Sequence, residues 1–238
     1  MANAEKIYYS APCDLYRGFI LGNKYKSCLS DVIDFAVYTQ SYKNGHRDKN
    51  CKKFAEENLH VNLASPECSY RRGRKLFSEL CDGQNPAFFS ISLKMYWHFY
   101  NEETTEEERV AALAYLAVKS MIGKRDFIKT NMKLLCNRMD GRTRYRGQEL
   151  SQEVAKYTNR YWSHKLLNTL YTKYGVVSYS GSSSHRMRGF YCSISLSMAE
   201  LINQAEKARC EAKLQPKDPL REAKRKALEE LGLFPGGG

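Results

Sequence analysis

The chain has 238 residues, 42% hydrophobic and 12% aromatic, a composition that fits a globular protein with one large domain or two small ones. Its formal charge of +12 is localised: residues 124–197 hold fourteen Lys/Arg against four Asp/Glu, and the segments on either side sum to +1 each. No run approaches the roughly 18 apolar residues of a membrane span. The polar stretch Met1 to Ser10 lacks the apolar core of a secretory signal, so a cytoplasmic location is expected.

Residues 1–27 are aromatic and Gly-punctuated, without clear periodicity. Val32, Ile33, Ala36 and Val37 follow helical spacing, which predicts a helix over 30–40 capped by Ser30. Residues 42–50 read as a loop, 51–58 as a short helix, and Ser65-Pro66 as the start of another. That helix buries Leu76, Phe77 and Leu80 and carries Arg71, Arg72, Arg74 and Lys75 on its other faces. After a break at 82–85, an aromatic segment over 87–100 has the spacing of a helical surface.

Thr105 with Glu108 fits a capping box for a helix that Gly123 stops. A short strand over 126–129 follows, then a helix capped by Thr130 and ending near Met139, a basic loop over 142–147 and a helical turn from Leu150. Thr158 is expected to cap the helix 159–174, which buries Trp162, Leu166, Leu167 and Leu170. Residues 176–179 and 189–194 are strand-like, joined by a Ser/Gly tip. A mixed-charge helix covers 197–214, and Leu220, Ala223, Ala227, Leu228 and Leu231 mark a short amphipathic one over 220–231.

The eight cysteines lie singly, with no C-x-x-C, and read as reduced thiols used as small hydrophobes rather than as zinc ligands. Neither a P-loop, a dinucleotide fingerprint, a zincin helix nor a nucleophile elbow occurs, so neither an enzyme nor a cofactor or metal is expected.

The order helix, strand, helix, turn, helix, strand, basic tip, strand over 105–195 resembles the winged-helix family of DNA-binding domains. Phe127 to Asn131, Met132 to Met139, Thr158 to Tyr174 and Gly175 to Tyr179 carry the likeness. The stretch 141–158 is longer than the family's usual turn. Either the Leu150 region belongs to the recognition helix or residues 142–147 form an inserted contact loop. Phe54 to Glu57, Leu59, Val61 and the Ser65 helix look like a degenerate helix-turn-helix, and two such units in tandem would resemble plasmid and phage replication initiators. The fold expected is mainly α with a small β-wing (α+β), a winged helix-turn-helix with or without a second in tandem. The expected divisions are an N-terminal helical domain (1–84), a winged-helix domain (85–197) and C-terminal helices with a tail (198–238).

The expected partner is double-stranded DNA. Arg160, His164 and Asn168 are four apart and lie along one edge of the helix face that also presents Tyr161 and Lys165. An Arg can make two bonds to guanine and an Asn two to adenine. Lys165, Arg142, Arg144 and Arg146 suit phosphates, His185, Arg186 and Arg188 suit a minor groove or the backbone, and Arg71, Arg72, Arg74 and Lys75 offer a second edge. The resemblance implies an initiator or regulator of a mobile element. The alternative is a structural or assembly protein of a phage or similar particle, meeting nucleic acid nonspecifically or meeting an acidic protein. On either reading, residues 86–100 or 220–231 offer a surface for a protein partner or self-association.

Overall fold

The computed structural model describes residues 7–47, 50–61, 65–142, 149–181 and 189–214. Within them the chain is mainly helical with two small antiparallel sheets, an α+β arrangement.

Strand β1 (Tyr8–Pro12) passes through a 3-10 segment (Cys13–Phe19) into helix α1 (Tyr25–Lys43). Ser30, expected as the cap, lies inside this helix, its hydroxyl turned back to the Lys26 carbonyl. Helix α2 (Cys51–Phe54) runs on as one π turn (Ala55–Leu59), and α3 (Pro66–Cys81) starts as its proline predicts. Strand β2 (Phe88–Ser92) then returns to pair with β1, placing Tyr9 opposite Ile91 and Ala11 opposite Phe89. All four are fully buried, the period-two face of a half-covered sheet.

This pairing runs across the expected boundary at 84/85, so strands from either side of it share one sheet. One hydrophobic cluster runs from Tyr9 to Cys192. The aromatic segment is likewise not one helical surface: β2 gives way at Ser92, whose hydroxyl caps α4 (Leu93–Asn101) by accepting the Met95 N–H. Phe89, Tyr96 and Phe99 go into the core, leaving Phe88 and Tyr100 exposed.

Helices α1 and α3 cross closely because Gly73 has no side chain. A carbon placed there would lie 2.0 Å from the Asp34 carbonyl oxygen and 2.7 Å from Tyr38 Cβ. Arg72 fixes the crossing from outside, bonding Asp31 at 2.9 Å and standing 3.5 Å from Asp34. Burial still pushes the Asp34 carboxyl above its ordinary pKa, against the opposing pull of Ser69 and Arg72.

Helix α5 (Glu106–Ile122) has the expected capping box: Glu108 N–H donates to the Thr105 hydroxyl, and Thr105 N–H to Glu108 Oε2 at 3.0 Å. Next come β3 (Phe127–Thr130), α6 (Met132–Met139), α7 (Gln152–Ala155), a 3-10 turn (Lys156–Thr158), α8 (Arg160–Tyr174), β4 (Val177–Tyr179), β5 (Phe190–Ser193) and α9 (Met198–Leu214). The caps of α6 and α8 are Asn131 and Asn159, not Thr130 and Thr158. Each amide oxygen accepts a first-turn N–H at 2.9 Å, while Thr130 is held in β3 and Thr158 closes the 3-10 turn.

The second sheet has the order β3-β5-β4, with Ile128 and Ser178 flanking Cys192. Helix α9 packs on it through Leu201 and Ala205 against Val177 and Tyr191.

Gly73→Ala should destabilise the protein by about 1–3 kcal/mol, the usual cost of overpacking. A urea midpoint unchanged from wild type would show that the helices can separate at this point at no cost.

Candidate nucleic-acid interface

Helix α8 is amphipathic in the way its spacing requires. Ser163, Leu166 and Leu170 are buried and Trp162 and Leu167 half-buried; Arg160, Tyr161, His164, Lys165 and Asn168 are exposed. Arg160, His164 and Asn168 share one solvent edge, which Tyr171, 55% exposed, extends by a further turn. Helix α8 ends at Gly175, which adopts the left-handed conformation, and leads directly into β4.

Lys165 departs from this edge. Its ammonium is bound by the Glu107 carboxylate and lies 5.5 Å from the Trp162 ring, on the side facing α5. It belongs to a ladder in which Lys156 meets Glu106 at 2.7 Å and Lys173 meets Glu108 at 2.8 Å. Three cations of the basic region are thus balanced by the acidic first turn of α5. The hydrogen bond from Lys173, then that from the Thr105 N–H, hold the Glu108 carboxyl down to about 2. The Glu107 bond raises Lys165, and the Glu106 bond raises Lys156.

The stretch 141–158 resolves into separate parts. The Leu150 region is not part of α8: α7 and its 3-10 turn form their own layer, with Val154 and Tyr157 buried. Arg142 donates to the Glu149 carbonyl at 2.7 Å and meets Asp140 at 3.0 Å, so its guanidinium closes the base of the basic loop instead of standing ready for a phosphate. Asp140, 2% exposed, also accepts the Ser151 N–H at 3.1 Å and lies 3.5 Å from Arg17. Arg144 and Arg146 of that loop lie outside the described residues, as do His185, Arg186 and Arg188 of the β4–β5 tip and the amphipathic segment 220–231.

The second basic edge is only partly available. Arg72 is committed to Asp31 and Asp34, and Lys75 pairs along its helix with Glu79 at 3.8 Å. Arg71 and Arg74 are exposed on the same helix.

Sequence spacing does not foretell an open groove of about 180 Å3 beside α8, to which β4 contributes Ser178 and α9 contributes Met198. Only Tyr171, three residues beyond Asn168, carries a signal in the spacing. At the end of β4, Tyr179 donates to Glu206 at 2.7 Å, Arg209 pairs with the same carboxylate, and the Arg209 guanidinium fills the space over Gly181. Among the described residues no group of three or more His, Cys, Asp or Glu is placed to hold a metal, and no helix is long and apolar enough to cross a membrane.

No family model matches the chain, and no match was found among curated proteins or solved structures.

Two measurements probe this geometry. Asp140→Ala should cost roughly 3 kcal/mol, since it leaves the Ser151 N–H and two guanidinium groups without their buried partner. Asp140→Asn should cost less, because the amide oxygen can still accept that N–H; equal midpoints for both variants would refute the shared-carboxylate account. Glu108, ordinarily near 4.5, is depressed in the fold, so its contribution is present above about pH 4.5 and lost as pH falls towards 2. Glu108→Gln should therefore flatten the acid decline of the thermal midpoint, by about 1–3 °C for an exposed pair.

Proposed function

We propose that the chain binds double-stranded DNA through α8 and the β4–β5 hairpin, as a winged helix-turn-helix protein acting as replication initiator or transcriptional regulator of a mobile element. The observation that carries this reading is the combination of topology and edge. Helices α5, α6 and α8 alternate in the chain with the strands of a sheet of order β3-β5-β4, α8 runs straight into the hairpin, and the solvent edge of α8 presents Arg160, His164 and Asn168 with no ion pair among the described residues. A guanidinium and an amide on one helix edge suit guanine and adenine in a major groove. The mobile-element role follows from the sequence resemblance to replication initiators.

The charge ladder supports specific over purely electrostatic binding. With Lys156, Lys165 and Lys173 balanced by Glu106, Glu107 and Glu108, α8 has little unpaired charge for indiscriminate phosphate contact. Competition against random DNA tests the point: a regulator or initiator should prefer its own duplex by about 10³ or more. Equal affinity for all duplexes would instead favour the structural or assembly role.

Arg160→Ala and Asn168→Ala should each relax preference at one base pair, reducing discrimination by about 1–3 kcal/mol. Neutralising Arg186 and Arg188 together should weaken binding to every duplex and make the salt slope shallower by about 1 for each phosphate left without its cation. A double variant that shifts DNA in gels as well as wild type would remove the hairpin from the interface.

A further inference from the structure

The groove beside α8 has an unusual lining for a surface presented to a polyanion. His164, Leu167, Asn168 and Tyr171 form its α8 wall, Ser178 and Met198 its opposite wall, and among the described residues neither lysine, arginine nor carboxylate lines it. It is therefore ill suited to a phosphate, which needs a cation or convergent N–H donors. Leu167 packs partly against the core, but Tyr171 is 55% exposed and Met198 40%. Apolar surface beside a single amide matches one pattern in a major groove, an adenine edge that pairs with the amide next to the methyl group that only thymine carries.

We propose that this groove selects A·T pairs, with the Asn168 amide bonding an adenine edge and the 5-methyl group of an adjoining thymine resting against Leu167, Tyr171 and Met198. This rests on the reading of α8 as the element that enters the major groove, and it names the bases that reading leaves open. Met198 belongs to the first turn of α9, so a helix beyond the hairpin completes the surface.

The test uses the full chain and a randomised duplex pool. Duplexes enriched by the wild type are resynthesised with each thymine replaced singly by deoxyuridine, which removes the methyl group and leaves pairing intact. At one thymine the replacement should weaken wild-type binding about fourfold, the factor expected from burial of one methyl group. Met198→Ser, a change at an exposed position, should bind the thymine and deoxyuridine duplexes alike. Asn168→Ala should lose the preference for adenine at the neighbouring pair only. Indifference of the wild type to every deoxyuridine, or a Met198→Ser protein as sensitive as wild type, would overturn the inference while leaving DNA recognition by α8 standing. Failure to enrich any duplex would instead defeat the reading of the chain as a sequence-specific DNA-binding protein.

Discussion

The carboxylate of Asp140, almost wholly removed from solvent, is shared by groups that arrive from far apart in the chain. Arg17 reaches it from the segment after β1, Arg142 from the residue that opens the basic loop, and the Ser151 N–H from the residue that leads into α7. A buried charge is tolerated only when partners surround it, so each contact constrains the others. Gly141 beside it completes the joint. With φ of 80° and Asp14 Cα 2.8 Å from where a side-chain carbon would stand, it lets the 3-10 segment lie directly on the end of α6, and the Cys13 thiol donates to its carbonyl at 2.9 Å. The N-terminal sheet, the end of α6 and the start of α7 are thereby held in one frame, and α8 is presented from that frame.

Net charge alone would describe this surface poorly. The basic stretch is the strongest compositional feature of the chain, yet several of its cations are occupied within the fold. Lys156, Lys165 and Lys173 face α5, and Arg142 closes a loop. What remains exposed along α8 is mostly hydrogen-bonding and aromatic. A surface of that kind offers shape and a hydrogen-bonding pattern, whereas free ammonium groups offer charge alone.

Signals confined to a few neighbouring residues were readable in the sequence. The Thr105–Glu108 box, the Pro66 start, the Gly123 and Gly175 stops and the Arg160, His164, Asn168 edge all depend on spacing within one helix. Cap choice between Thr130 and Asn131, or Thr158 and Asn159, depended on what the preceding residue was already doing, in a strand or a 3-10 turn. Features that join distant residues were hidden. Strand β1 is short and finds its partner some eighty residues on, so no local alternation announced it. The partners of Arg72 were out of reach because Asp31 and Asp34 come from α1, and those of Glu106 to Glu108 because their lysines lie 50 to 65 residues downstream. The groove drew Ser178 and Met198 from other elements, which no periodicity could supply.

The contact of α9 with the hairpin has a bearing on modularity. Tyr179, Glu206 and Arg209 tie the strand leading to the tip onto a helix that follows the sheet, and Arg209 overlies Gly181 where the chain leaves β4. The end of β4 is therefore held by a part of the chain that a minimal cut at the last strand would discard. A graft of residues 105–197 onto another scaffold would carry α8 and every strand of the second sheet, but not the helix that packs on β4 and β5.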